Sequence, residues 1–213
     1  MSKRPLYLYP KERAGVTYPF CYWDNLFTEE ELDKIEEYCS SLELIKGTTV
    51  GKDGKADESN EARNSNIAFV NPNPDNQWIF ERLMWVAERL NERFYEFDLN
   101  GFDAFQYTVY DGDEENPGRY DIHMDTILGT DKPIEMLETR KLSMTVVLND
   151  PTEWEGGKFQ MQIGGPEEEK YLVAEQIRGR VIAFPSFLLH RVSPVTKGIR
   201  KSIVVWVEGP KFK

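Results

Sequence analysis

The chain has 213 residues, of which 40% are hydrophobic, 13% aromatic and 30% charged, a composition typical of a globular protein and not of a disordered or fibrous one. Its formal net charge of −11 argues against a protein whose main task is to hold nucleic acid, because that affinity comes largely from Lys and Arg. A cationic partner is electrostatically easier, although an acidic charge also simply promotes solubility.

The cysteines and the apolar segments indicate the compartment. Cys21 and Cys39 are the only cysteines, and their spacing fits neither a zinc site nor a disulfide framework, so we expect two reduced thiols. The N-terminal residues carry Lys and Arg without an apolar run between them, unlike a signal peptide. No stretch is long and apolar enough to cross a bilayer. The sequence therefore predicts a cytoplasmic protein without a membrane partner.

The first predicted elements are an extended start, a helix and a loop. Residues 16–20 favour extended backbone, and Thr28-Glu29-Glu30-Glu31 matches a capping box that predicts a helix through about Leu42. Its apolar stripe is Leu32, Ile35 and Cys39. Residues 51–62 hold no large apolar side chain, so they have little to bury and are predicted to form a mobile loop.

A strand and a second helix follow. Asn66–Val70 predicts a strand, because it is β-prone and is closed by Asn and Pro turn signals. The second helix is predicted over roughly residues 76–96, where apolar residues recur every three or four positions. These are Ile79, Leu83, Val86, Leu90 and Phe94. A helix of this length can lie across a sheet.

From residue 102 the chain changes to short β-type runs separated by Gly, Pro, Asn and Asp. The predicted strands are 102–110, 120–125, 142–149, 157–163, 171–173, 179–184 and 202–207. Such spacing predicts a mainly β fold, a sandwich or closed jelly roll, with the two helices flanking one face. We expect one domain over residues 1–213, in which 1–100 support a core of 101–213.

The chain has two histidines, and both lie where a metal site would need them. His123 and Asp125 are two residues apart on a predicted strand, so their side chains should leave the same face. His190 lies at the end of a later β run, which a jelly roll can bring close to them. Two imidazoles and one carboxylate on one side of an ion form a facial triad, which suits non-haem iron(II). Either motif alone is weak, since His190 by itself is somewhat better explained as a core histidine, and only the joint pattern favours a metal site.

Arg200 is the candidate anion-binding residue. Strand alternation places Arg200, Ser202, Val204 and Trp206 on one face. A guanidinium there can hold a carboxylate through two parallel hydrogen bonds, and Ser202 could add a third. The competing cations are Lys197, in a predicted turn, and Arg191, which should point away from His190. A strand-end arginine is more commonly solvated, so this alternative stays open.

Tyr110 is a candidate for the same site. It ends a β run and shares a face with Gln106 and Thr108, a polar row that suggests an inward-facing site. Its phenol could donate a hydrogen bond to a carboxylate or a keto acid. Simple packing is the more common role of a tyrosine near a strand end.

Together, these motifs resemble the prolyl 4-hydroxylase-like oxygenases, with the closest likeness to the bacterial and phage PKHD-type hydroxylases. The segments that carry the resemblance are Tyr120–Asp125, Leu142–Pro151, Glu155–Gly157 and Leu189–Arg200. The resemblance extends over about residues 102–207 and is weaker in the helical first half.

The resemblance implies a double-stranded β-helix and a set of cofactors. It implies iron(II) bound by His123, Asp125 and His190, and 2-oxoglutarate chelating that metal with its distal carboxylate on Arg200. It also implies O2 as the oxidant, with ascorbate as a candidate reductant. Tyr110 matches the tyrosine that touches the co-substrate in this family, although the Asp111–Gly118 loop is longer here. The presence of Asp125 as a ligand favours hydroxylation over halogenation.

Several substrates and one different class of protein remain open. The resemblance implies hydroxylation of a prolyl or similar residue in a protein or peptide, and a free amino acid or small metabolite is the alternative. A nucleic-acid demethylase should bring a basic groove and is disfavoured. A non-catalytic jelly-roll binding module would be expected to close its metal site with protein ligands. Residues 46–64 are either a flap over the substrate or an exposed loop. Nothing in the sequence indicates the oligomeric state.

Overall fold

The computed structural model describes residues 18–50, 56–57, 62–126, 139–164 and 170–211. Within these ranges the helices are α1 (Glu29–Ser40) and α2 (Gln77–Phe94). The strands are β1 (Cys21–Trp23), β2 (Ile45–Lys46), β3 (Thr49–Val50), β4 (Ala56–Asp57), β5 (Arg63–Asn64), β6 (Asn66–Val70), β7 (Phe105–Asp111), β8 (Gly118–His123), β9 (Thr139–Val147), β10 (Trp154–Gly156), β11 (Phe159–Gln162), β12 (Tyr171–Val173), β13 (Val181–Pro185) and β14 (His190–Gly209).

Both predicted helices are confirmed, with ends shifted by one or two residues. The Thr28 hydroxyl accepts a hydrogen bond from the Glu31 backbone N–H at 3.2 Å, and the Glu31 carboxylate accepts one from the Thr28 N–H at 2.9 Å. This is the predicted capping box, which satisfies two backbone donors at the helix start. The predicted apolar stripe of α1 is buried, as are Ile79, Leu83, Val86 and Leu90 of α2.

Most of the strands form two antiparallel sheets that share the long strand β14. One sheet has the order β1-β13-β9-β14-β7-β6-β2. The first part of β14 also pairs with β8, β10 and β11, β11 pairs with β12, and β8 pairs with β5. Because one strand belongs to both layers, the sheets close over a common interior as a double-stranded β-helix, which confirms the predicted fold class.

β14 is much longer than the predicted strand at 202–207. Pro194 and Gly198 are turn signals in the sequence, and Thr196-Lys197-Gly198 was expected to form a turn. In the structure this stretch continues the strand, with Gly198 at a φ of +74° and register shifts in the pairing between His190 and Val195. Irregular pairing with increased twist explains how one strand passes from one sheet to the other.

The core has two parts. The larger part lies between the helices and the outer face of the main sheet, and it includes Leu32, Ile35, Leu83, Leu90 and Phe105. The smaller part lies between the two sheets. Its buried side chains are Tyr110, Val147, Trp154, Phe159, Met161, Ala174, Ile182, Phe184, Val192 and Val195. The helices therefore stiffen one face, while the candidate site opens into the interior between the sheets.

The predicted loop at 51–62 is in part wrong and in part outside the described residues. β3 and β4 pair as a short antiparallel ladder, so residues 56–57 are not irregular. Residues 51–55 and 58–61 of the predicted loop lie outside the described residues. Its last residue, Ala62, is described, and the Ala62 carbonyl accepts a hydrogen bond from the Asp121 N–H at 2.8 Å. Residues 16–17 of the expected extended start also lie outside the described residues. Six strands of only two or three residues each were not predicted: β1, β2, β3, β4, β5 and β10.

Two sequence expectations concern the thiols and membrane spans. Cys21 and Cys39 are both buried and free of disulfide bonds. Burial raises the pKa of the Cys21 thiol to about 11 and that of Cys39 to about 12, so both stay protonated at neutral pH. In the described part of the chain, neither helix combines the length and apolar character needed to span a bilayer.

Candidate active site

The side chains of His123, Asp125 and His190 converge in the interior between the sheets. One ligand-type atom from each lies within 4.8 Å of the others. The distances are 3.7 Å from His123 Nε2 to Asp125 Oδ1 and 3.5 Å from His190 Nε2 to Asp125 Oδ2. Direct antiparallel pairing of His123 with His190, across β8 and β14, brings the two imidazoles together.

Backbone carbonyls set the tautomer of both imidazoles. His123 Nδ1 lies 2.7 Å from the Asp121 carbonyl oxygen, and His190 Nδ1 lies 2.9 Å from the Leu188 carbonyl oxygen. A carbonyl can only accept, so each Nδ1 carries the proton and donates. The lone pair of each Nε2 then faces the Asp125 carboxylate, which is the arrangement that ligating histidines use.

Asp125 reaches the site in a different way from the one predicted. β8 ends at His123, so the expected strand alternation does not extend to Asp125. Instead, the Asp125 and Thr126 backbone N–H groups both donate to the Ser186 carbonyl, at 2.9 and 3.1 Å. These two bonds anchor the chain just after the strand, and the carboxylate is turned into the interior.

The Asp125 carboxylate is suited to a cation. Its Oδ2 is buried and has no hydrogen-bond partner among the described residues. Burial alone would raise the pKa of Asp125, but His190, His123 and the nearby Ser143 and Trp206 side chains hold that pKa below its usual value. An ionised, buried carboxylate with an unused oxygen beside two imidazole lone pairs fits a divalent metal.

His123 is held neutral by its surroundings. Burial and the neighbouring His190 lower the pKa of His123 to about 3, although 16% of its side-chain surface remains exposed. Tyr120 stacks on the imidazole with ring centroids 3.5 Å apart, and the Arg63 guanidinium lies over the Tyr120 ring, 4.6 Å from its centroid. A neutral imidazole is the form that binds a metal.

Arg200 is fully buried in the same recess and lacks a carboxylate partner among the described residues. Its Nε donates to Gln176 Oε1 at 2.8 Å and its Nη1 donates to Ser202 Oγ at 3.1 Å. Its Nη2 is buried without a partner in the described part of the chain. A buried guanidinium with a spare donor is a strong candidate for binding a carboxylate.

Tyr110 lies next to Arg200. Its ring centroid is 5.4 Å from the Arg200 guanidinium carbon, because Arg200 and Tyr110 are directly paired across β14 and β7. Burial raises the pKa of the Tyr110 phenol, so at neutral pH it is a donor and not an anion. Gln106 and Tyr110 line the recess together, which agrees with the predicted polar row on β7.

The two competing cations lie elsewhere. Lys197 is exposed and pairs with Glu155 at 3.0 Å. Arg191 donates from Nε to Gln160 at 2.8 Å and stacks over the Tyr171 ring at 3.9 Å, on the outer side of the sheet. Neither lines the recess with the triad. Among the three candidates, Arg200 alone is placed to reach a ligand in the recess.

The recess has a cavity volume of about 40 Å³, well below the roughly 300–1,000 Å³ usual for sites of drug-sized ligands. Sequence reasoning missed Arg63 and Gln176, which lie on or against its wall. Arg63 follows the predicted loop and Gln176 lies between β12 and β13. Neither stands in a periodic pattern, so no local signal could have identified them.

The sequence matches the 2OG-Fe(II) oxygenase superfamily over residues 105–208. It is 36% identical over 89 residues to a PKHD-type hydroxylase from Psychrobacter sp. (strain PRwf-1), covering 42% of this chain and 33% of that protein. It is 36% identical over 91 residues to a PKHD-type hydroxylase from Colwellia psychrerythraea, covering 43% of this chain and 38% of the relative. The matched region therefore spans less than two fifths of the length of these relatives.

Solved structures show the same fold over nearly the whole chain. A prolyl-4-hydroxylase from Pseudomonas putida superposes with a TM-score of 0.67 at 16% identity, covering 92% of this chain and 95% of that one. A prolyl hydroxylase from Trichoplax adhaerens, in complex with a hypoxia inducible factor peptide fragment, gives a TM-score of 0.65 at 20% identity, covering 89% and 83% of the chains.

The sequence match covers a central part of this shared fold. It runs from β7, which carries Tyr110, through β8 and β9 to β14, which carries His190 and Arg200. Residues 105–208, which match the 2OG-Fe(II) oxygenase superfamily, therefore include all the predicted site residues: Tyr110, His123, Asp125, His190, Arg200 and Ser202.

Proposed function

We propose that this chain is an iron(II)- and 2-oxoglutarate-dependent oxygenase that hydroxylates an unactivated C–H bond. The observation that carries the proposal is that one recess holds both a His-Asp-His cluster and a buried guanidinium whose Nη2 has no partner among the described residues. His123, Asp125 and His190 would hold the metal, and Arg200 would hold the distal carboxylate of 2-oxoglutarate. The superfamily match and the PKHD-type relatives support the same assignment.

Each side chain has a distinct task in this proposal. When bound, iron and 2-oxoglutarate supply the oxidising chemistry, in which O2 is consumed and 2-oxoglutarate leaves as succinate and carbon dioxide. His123 and His190 would present Nε2 to the metal, because Nδ1 of each ring is engaged by a backbone carbonyl. Asp125 supplies the negative charge. Three protein ligands on one side leave the opposite side of the metal for the co-substrate and O2.

The second half of the site orients the co-substrate. Arg200 is fixed by Gln176 and Ser202 and keeps donors for a carboxylate. The Tyr110 phenol, kept protonated by burial, can donate to the same ligand. Walls formed by Phe159, Phe184 and Val192 keep the recess largely apolar, which strengthens these polar contacts.

For the substrate we propose a prolyl or similar residue in a protein or peptide. The support comes from the prolyl hydroxylases that share this fold and from the peptide carried by one of them. We further propose that residues 1–213 act as one domain in which α1 and α2 buttress the catalytic β core. Ascorbate would serve as the reductant that restores iron(II).

The test is succinate release from the full chain with iron(II), 2-oxoglutarate and O2, screened over proline-containing peptides and free amino acids. His190→Gln conserves much of the volume of a side chain that packs against Phe159 and Phe184, and it should abolish both metal binding and succinate release. Unchanged succinate release by this variant would refute the ligand assignment. Product found only with free amino acids would replace the proposed peptide substrate by a small molecule. Metal binding without any succinate release would favour a binding module.

A further inference from the structure

The Arg200 guanidinium is tied to the loop between β12 and β13 by a single glutamine. Gln176 Oε1 accepts from Arg200 Nε at 2.8 Å, and Gln176 Nε2 donates to the Gly157 carbonyl at 3.0 Å. The Arg200 Nε–H can only donate and the Gly157 carbonyl can only accept. The two bonds therefore fix which way the Gln176 side-chain amide is turned. Gln176 therefore links the strand that carries Arg200 to the turn before β11.

The turn at Gly157 is built to fit against the arginine. Gly157 adopts a φ of +56°, and a Cβ at this position would lie 3.0 Å from Arg200 Cδ and 2.9 Å from Val195 Cγ2. Only glycine adopts this conformation without strain and also leaves room for the arginine stem. The backbone carbonyl that receives Gln176 is thus held at a fixed position beside Arg200.

The Gln176 contact limits how Arg200 can receive a carboxylate. A guanidinium can bind a carboxylate through two parallel hydrogen bonds in two ways. The side edge uses Nε together with one terminal nitrogen, and the end edge uses Nη1 and Nη2. Gln176 occupies Nε, so the side edge is not available for a two-bond grip. Ser202 takes one donor of Nη1, and Nη2 is free of partners within the described ranges. The end edge is what remains for a ligand.

We propose that Gln176 is a positioning residue that sets the Arg200 guanidinium so that its end edge receives the distal carboxylate of 2-oxoglutarate. This role rests on the proposed function. Gln176 acts through Arg200 and does not touch the co-substrate. Without it, the long arginine side chain regains rotamer freedom, and part of the binding free energy is used to order it again.

The test separates this role from simple packing. Gln176→Met keeps a similar volume and removes both hydrogen bonds. The matched control is Gln160→Met, because Gln160 accepts a bond of the same kind and length, 2.8 Å, from Arg191 Nε outside the recess. Binding is measured by calorimetry under anaerobic conditions with iron(II) loaded, using 2-oxoglutarate and 2-oxopentanoate. The second keto acid has the same carbon chain but no distal carboxylate.

We expect Gln176→Met to weaken 2-oxoglutarate binding by up to about tenfold, the cost of ordering one long side chain on binding, while 2-oxopentanoate binding stays the same. In turnover, the KM for 2-oxoglutarate should rise by a similar factor with little change in kcat. Gln160→Met should leave both ligands unaffected. Unchanged 2-oxoglutarate affinity in Gln176→Met, or an equal loss for both keto acids, would overturn the positioning role. A wild-type protein that binds neither keto acid would overturn the proposed function itself, before any variant is compared.

Discussion

Replacing Arg200 by methionine should make the ligand-free protein more stable and the ligand-bound protein less stable. Arg200 is 1% exposed and stays charged, while its contacts within the described residues are neutral: Gln176, Ser202 and the Tyr110 ring. Its Nη2 has no partner there. A buried charge without a counter-charge is costly, and methionine fills most of the same space without that cost.

The magnitude follows from the individual contacts. Leaving one buried donor of a charged group unsatisfied costs about 1–3 kcal/mol, and this cost disappears in Arg200→Met. The variant in turn leaves the buried Ser202 hydroxyl without its bond from Arg200, which costs about 1 kcal/mol, and Gln176, which is half-buried, can turn to water. The net gain is on the order of 1 kcal/mol, or about 2–4 °C in Tm for a chain of this size.

Ligand should reverse the order. At 2-oxoglutarate concentrations 100 times its Kd, the wild-type protein gains about 2.7 kcal/mol of stability, and Arg200→Met should gain almost nothing. The assay is calorimetric unfolding in a chelator, and then anaerobically with iron(II) and 2-oxoglutarate. Lys197→Met, which removes an exposed cation paired with Glu155, is the control and should behave as wild type. A ligand-free Arg200→Met that melts several degrees below wild type would refute the reasoning about the uncompensated charge. Equal ligand shifts in wild type and Arg200→Met would move the carboxylate site to another cation.

Three further predictions address the triad, the first helix and the long strand. Burial and His190 lower the pKa of His123 to about 3 from 6.5. Between these two pH values the unfolded chain binds one proton more than the folded chain, so the metal-free protein should lose up to about 1.4 kcal/mol of unfolding free energy per pH unit as the pH falls below 6.5. Urea midpoints at pH 7, 6 and 5 check this, and a His123→Gln variant with the same slope would contradict it. Thr28→Ala should cost about 1 kcal/mol of unfolding free energy through loss of the helix cap, and denaturant titration would show no change if the capping box were unimportant. Gly198→Ala should destabilise the protein by at least about 1–3 kcal/mol, because φ is +74° and the added Cβ would collide with the Glu153 carbonyl. A Tm equal to that of wild type would argue against the described path of the strand.

The cluster of His123, Asp125 and His190 could be predicted from the sequence because histidine is rare in this chain. There are only two histidines, and a β-rich second half implied that distant strand ends meet. The detailed reason given for Asp125 was wrong, since the residue lies beyond β8 and is held by the Ser186 carbonyl. Alternation along a regular strand correctly placed Arg200 and Ser202 on one face, where their side chains are hydrogen-bonded. The meeting of Tyr110 with Arg200 depends on the pairing of β7 with β14.

What the sequence could not predict depends on tertiary contacts. The length of β14 was underestimated because Pro194 and Gly198 are turn formers in isolation, and pairing with strands on both sides overrides that preference. Gln176 belongs to an irregular segment, and its importance comes from meeting Arg200 and Gly157 in space. Local patterns carry no information about such a meeting.

The continuity of β14 has a consequence for altering co-substrate choice. His190 and Arg200 lie on one unbroken strand, so the span between the proposed metal and the proposed carboxylate anchor is set by the backbone path of residues 191–199. Replacing side chains on the recess walls would leave His190 and Arg200 at the same separation. Engineering this protein for a shorter or longer keto diacid would therefore have to change the irregular backbone between them. An insertion of one residue there would also turn the residues that follow to the opposite face, so we expect the segment to accept substitutions more readily than such a change in length.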